Sequence, residues 1–131
     1  MLLYNEQLQQ TTLAAFRQQI LDNLDDVAVP NDAELESDLT GYYNQAAQLD
    51  VGQYHANLIA PSLGGIGKRI LEKIRAFVCA ILNSGSTAEE IIDAILKALG
   101  SIIPGGIIIA WIVKKIVKYL ISRGIGAFCG I

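Results

Sequence analysis

The chain has 131 residues, of which 52% are hydrophobic and 18% charged, and a net charge of −3. That length holds one domain or two small ones, and so apolar a composition requires either extensive burial or a surface that meets a membrane or a partner. Two cysteines, Cys79 and Cys129, are too few for a disulfide scaffold and too far apart for a CxxC metal or redox pair; they either pair with each other or remain reduced thiols.

The opening stretch, MLLYNEQLQQTTLAAFRQQ, lacks the basic start and continuous apolar run of a secretory signal. Residues 5–27 read as a first helix, because Leu8, Thr12, Phe16, Ile20, Leu24 and Val27 recur about once per helical turn. Pro30 interrupts it, and Asn31 with Glu34 three residues later has the spacing of a capping box. A second helix is expected over 32–49, with Leu35, Leu39, Tyr42, Tyr43, Ala46 and Leu49 on one side. Residues 50–65 carry no clear period and read as a linker.

A third helix is expected from Ile66 to Asn83. Ile70, Leu71, Ile74, Phe77, Val78, Ile81 and Leu82 fill one arc of its wheel, and Lys68, Arg69, Glu72, Lys73 and Arg75 fill the other. Cys79 falls in the polar arc, which predicts an accessible thiol. NSGSTAEE is a stop and restart: Gly85 suits a left-handed turn, and Ser86 with Glu89 has capping-box spacing. The fourth helix covers 87–99 and ends at Gly100. A fifth starts at 104 or 107 and runs to 123, with Lys114, Lys115 and Lys118 on one narrow face, Trp111 a turn earlier, and apolar residues elsewhere. Gly124 closes it. The fold class is therefore all-α, with about five helices and no competing β pattern. The longest uncharged run of the second half, Ala98 to Val113, spans 16 residues and contains Pro104, Gly105 and Gly106; a membrane-crossing helix needs about 18–20 clean residues.

The charge is unevenly distributed. Residues 1–60 carry nine acids and one base, Arg17, for a net of −8, whereas residues 61–131 carry nine bases and four acids, for a net of +5. Two domains are read from this shift: an acidic helical leader or pro-region over 1–65, and a basic, hydrophobic helical domain over 66–131.

Little in the chain points to catalysis. His55 stands alone. The carboxylate pairs Asp22/Asp26 and Glu34/Asp38 have the pattern of solvated helix faces. Ser62 lacks a Gly-x-Ser-x-Gly setting, and GGIGKR lacks the spacing of a phosphate loop. The reading is a non-enzyme with no cofactor or metal. The bases of the second half are too diluted by apolar residues, and too poor in interleaved aromatics, for a nucleic-acid surface. Cations along apolar helices, with one Trp, match an anionic lipid surface instead.

FVCAILNSGSTAEEIIDAILKALGSIIP (77–104) resembles the middle of a saposin-like protein: an amphipathic helix, a polar turn with Thr and acids, a helix of the EEII-A-L type, then a Pro break. WIVKKIVKYLISRGIGAFCGI (111–131) resembles the later helices and the closing cysteine. The second half is also similar to circular and leaderless bacteriocins of bacteria. Its resemblance does not imply a Cys79–Cys129 bridge. SLGG, ending at Gly64 and Gly65, resembles the double-glycine end of a bacterial leader.

This resemblance implies the precursor of an antimicrobial, membrane-permeabilising polypeptide, kept inactive by its acidic pro-region and released near Gly65 by a protease or exporter. The precursor would be cytoplasmic, and the mature part secreted and membrane-associated, forming an oligomer in anionic membranes. Lys68, Arg69, Lys73, Arg75, Lys114, Lys115 and Lys118 would attract headgroups, Trp111 would anchor at the interface, and Ile107 to Val113 would insert. Two other readings stay open: an unprocessed soluble helical lipid-binding or interaction module, and a toxin opened by low pH.

Overall fold

The computed structural model describes residues 3–4, 12–49, 63–103 and 107–130. They form an all-α fold of six helices: α1 (Leu13–Asp22), α2 (Asp32–Leu49), α3 (Leu63–Ile81), α4 (Ala88–Ile102), α5 (Ala110–Arg123) and the five-residue α6 (Ile125–Cys129). Two strands of two residues each, β1 (Leu3–Tyr4) and β2 (Ile108–Ile109), pair antiparallel, with Leu3 opposite Ile109 and Tyr4 opposite Ile108.

Side chains set the helix limits. Thr12 caps α1, its hydroxyl accepting from the Ala15 N–H at 3.1 Å, so it starts the helix instead of extending the apolar stripe. Asn23 ends α1 early. Its amide donates to the Gln19 carbonyl at 2.8 Å, the bond its own N–H would make in a continuing helix, and that N–H turns to Ile20 instead. The chain then makes a 3-10 turn over Leu24–Asp26. The expected segment before Thr12, Leu8 included, lies outside the described residues.

The capping box at α2 forms as the spacing predicts: the Glu34 N–H donates to Asn31 Oδ1 at 2.8 Å and the Asn31 N–H to Glu34 Oε1 at 3.2 Å. At α4 the box lies one residue later than expected, on Thr87 and Glu90. Ser86 is already engaged, because its hydroxyl accepts from the Asn83 N–H at 3.0 Å. Gly85 needs no left-handed backbone; the Asn83 side chain accepts its N–H at 2.8 Å. Positive φ occurs, among the described residues, at Gly124 (92°), which ends α5, and at Gly130 (75°), which ends α6.

Helix α4 runs through Gly100 to Ile102, and burial of Leu99 and Ile103 offsets the roughly 1 kcal/mol that an interior glycine costs. Helix α5 starts at Ala110, later than expected, because Ile108 and Ile109 are extended and paired with β1.

One continuous core joins both halves of the sequence. Phe16, Ile20, Leu35, Leu39, Tyr42 and Ala46 from α1 and α2 are fully buried among residues of α3, α4 and α5 such as Leu71, Ile74, Ile92, Ile95, Ile112 and Ile116. Full burial of each large apolar side chain is worth about 1.5–3 kcal/mol, so the first two helices are held mainly by their apolar faces. Helix α2 packs most extensively on α3, which in turn contacts α4 and α6.

Candidate membrane-active surface and its acidic cover

Helix α2 carries the groups that meet the basic half. Asp38 pairs with Lys115 at 2.8 Å, and the same lysine lies 5.7 Å from the Trp111 ring centroid. One turn or more further on, Gln45 Oε1 accepts from Trp111 Nε1 at 3.2 Å. Tyr42, between them and fully buried, donates its hydroxyl to the Ile107 carbonyl at 2.5 Å. At the start of α2, Asp32 lies 3.8 Å from Arg75.

A third pair reverses the polarity. Arg17, the single base of residues 1–60, forks onto Asp93 of α4, with Nη2 at 2.9 and 3.0 Å from the two carboxylate oxygens. All these groups are partly exposed, so each pair contributes about 0–1 kcal/mol. They fix the register of α1 and α2 against the other helices, while apolar burial supplies most of the adhesion.

A second hub forms around the C-terminus. Cys79 of α3 and Cys129 of α6 are joined in a disulfide, the first of the two alternatives the sequence leaves open; both are half-buried and packed on the core. Arg75 Nε donates to the Phe128 carbonyl at 2.5 Å, and its guanidinium sits 4.9 Å from the Phe128 ring centroid. Phe128 packs edge-on against Tyr119 at 5.5 Å. Arg123 stacks on Tyr119 and donates to the Pro30 carbonyl at 3.2 Å, tying α5 to the approach to α2.

The residues assigned to lipid therefore fall into different settings. Lys68, Arg69 and Lys73 are exposed on the outer face of α3. Arg75, Trp111 and Lys115 are engaged with Asp32, Gln45 and Asp38 of α2. Lys114 and Lys118 are half-buried on α5. Of the expected inserting stretch, Ile107, Ile108, Ile109, Ala110, Ile112 and Val113 are buried in the core. Gly64 and Gly65 lie in the first turn of α3, not in a linker, since that helix starts at Leu63. His55 lies outside the described residues.

Three contributors escaped the sequence reading. Gly67, the last glycine of GGIG, marks a close helix approach: its N–H donates to Thr40 Oγ1 at 3.0 Å. Tyr42 gave a signal only as a polar tip within an apolar stripe. Asp93 gave none, because its partner lies 76 residues away.

Tyr42→Phe is expected to lower stability by about 1–3 kcal/mol, because the buried Ile107 carbonyl loses its donor. Urea unfolding at neutral pH measures this. Burial also pushes the Tyr42 phenol far above its usual value of 10.0. The Tyr119 phenol is raised by burial and then by the neighbouring Asp32 carboxylate. The folded chain thus keeps protons that the unfolded chain releases. The stability these phenols contribute is complete below pH 10.0 and is lost as pH rises beyond it. Tyrosinate absorbance is expected to show Tyr42 ionising only together with loss of helical signal.

Among the described residues no helix is long and apolar enough to cross a membrane, and no cluster of His, Cys, Asp or Glu is able to hold a metal ion. No family model, curated protein or solved structure matches this chain.

Proposed function

We propose that the chain stores a saposin-like, membrane-permeabilising polypeptide, of bacteriocin type, beneath an acidic helical cover. Residues 66–131 are the active part and residues 1–65 the pro-region, separated by a protease or exporter near Gly65. The observation that carries this reading is the engagement of α2 with the lipid-seeking residues of α5: Gln45 holds the Trp111 indole and Asp38 holds Lys115. A single helix withholds both the interfacial anchor and a headgroup cation.

Cleavage releases such a cover by mass action. While the chain is intact, α1 and α2 face their docking surface at an effective concentration on the order of millimolar. Once cut, they must rebind from solution, and an anionic bilayer competes for the same cations. The disulfide between α3 and α6 accords with a product that persists in an oxidising compartment. Gly64 and Gly65 become accessible to a protease through opening of one terminal helical turn, the least stable part of a helix.

Dye leakage from anionic vesicles tests the proposal. A protease recognition sequence is introduced between residues 53 and 60, and the chain is assayed before and after cutting. The intact chain is expected to be silent and the cut chain to release dye. The continuous core across both halves favours a second reading, a permanently joined lipid-binding or interaction module. On that reading the cut halves stay together through gel filtration and the vesicles stay sealed.

A further inference from the structure

We infer that the outer face of α3 docks the covered, uncleaved chain on anionic bilayers, before and independently of any insertion. The inference rests on the membrane target of the proposed function, but not on cleavage.

The basic residues divide by occupancy. Arg17, Arg75, Lys115 and Arg123 each have a partner within the fold. Lys68, Arg69, Lys73 and Lys97 are exposed, Lys114 and Lys118 are half-buried, and none of these six takes an ion pair among the described residues. Lys68, Arg69 and Lys73 lie together on the exposed side of α3. Glu72 is the single acid among them, so the face stays cationic on a chain whose net charge is −3.

The Arg69 and Lys73 edge of that cationic arc borders exposed apolar surface. Arg69, Lys73, Phe77 and Ile81 follow one another at intervals of four residues and so form a ridge about 18 Å long that winds about 120° around the helix, from the cationic arc to the apolar one. Phe77 is 37% and Ile81 53% exposed, two of the five large hydrophobic side chains that the described residues leave in solvent. The ridge therefore begins with cations and ends with an aromatic and a branched aliphatic side chain.

A lipid interface satisfies both ends at once. Anionic headgroups take Arg69 and Lys73, with Lys68 adding positive potential from the far rim of the exposed face, while Phe77 and Ile81 enter the boundary with the acyl chains, and the helix lies in the plane of the surface. A polyanion without an apolar layer would leave Phe77 and Ile81 in water. Trp111 and Lys115 remain beneath α2 in this docked state, so docking does not permeabilise. The two tasks fall to different helices: α3 selects the surface, and α5 is released onto it.

Flotation of the full-length, disulfide-bonded chain with vesicles is the test, with trapped dye in the same sample. Phosphatidylglycerol-containing vesicles are compared with pure phosphatidylcholine at low and high salt. Binding is expected on the anionic vesicles alone, weakened by salt and without dye release. K68E/R69E/K73E should reduce partitioning about a hundredfold or more, and F77S/I81S about tenfold, with the salt dependence kept. R69E should weaken binding while K97E, an equal charge change at an exposed position on α4, should leave it within about twofold. These side chains are exposed, so an unchanged thermal melt is expected to show the variants folded.

Equal binding to neutral and anionic vesicles, wild-type binding by the triple variant, or no binding at all would each overturn the inference. Its failure is distinct from failure of the proposed function. A cut chain that leaks vesicles which the intact chain ignores sinks the docking face alone. An intact chain that docks through α3, but leaks nothing after cutting, sinks the precursor reading alone.

Discussion

Gly67→Ala is expected to unseat α2 from α3 and to lower stability by about 3 kcal/mol. A Cβ at position 67 would lie 1.8 Å from the Glu36 carbonyl oxygen, 2.7 Å from its carbon and 2.4 Å from Thr40 Oγ1. Two of those three atoms are backbone of another helix, which cannot rotate aside. The helices must separate by more than an ångström, and the bond from the Gly67 N–H to Thr40 is lost with that shift. Helix propensity predicts the opposite sign, since Ala is favoured over Gly by about 1 kcal/mol in a helix.

Gly65→Ala isolates that propensity. A Cβ there meets only the Arg69 side chain, at 3.9 Å, and the substitution is expected to be neutral or stabilising by about 0.5–1 kcal/mol. Urea unfolding of the two variants side by side reads the difference. If both are stabilising, the close approach of α2 is not a determinant of the fold. Under the proposed function, intact Gly67→Ala also leaks anionic vesicles without cutting, because its cover is loosened, whereas Gly65→Ala stays silent.

The position of Gly67 shows where the sequence stops being legible. A helical wheel reports which face of a helix is apolar, and it placed the buried stripes of α2, α3 and α4 well. It does not report which helix fills that face or how closely. Phe77 and Ile81 share the apolar arc of α3 with Ile74 and Val78, yet the first two are exposed and the second two buried.

Charge patterning has the same limit. Lys115 and Lys73 read alike along the chain, but one meets Asp38, 77 residues away, and the other meets solvent. Capping is legible because its partners are three residues apart, and even there Ser86 and Thr87 exchanged roles once Asn83 claimed the serine. The extended start of the 107–123 segment was hidden for a different reason. Ile107 to Ile109 suit a buried strand or a buried helix equally, and pairing with Leu3 and Tyr4 decides between them.

Loss of the Cys79–Cys129 bridge is expected to have a still larger effect. It closes a 50-residue separation, and the chain-entropy relation assigns such a loop about 4 kcal/mol of stabilisation. The effect is also local. Helix α6 has five residues and is too short to persist without anchoring. Its one fully buried side chain, Phe128, packs on Tyr119 and under Arg75, and its carbonyl takes the Arg75 Nε–H. If α6 leaves, Arg75 loses both contacts at once, and its remaining partner is Asp32 at the head of α2. Reduction is thus expected to lower the urea midpoint sharply and to loosen the start of α2, seen as faster amide exchange over residues 31–35. A Cys79→Ser/Cys129→Ser variant should behave like the reduced chain, which separates loss of the bridge from effects of the reductant. A drop of less than about 1 kcal/mol in both would mean that Phe128 holds α6 unaided, and that the disulfide records the compartment the protein reaches without supporting its fold.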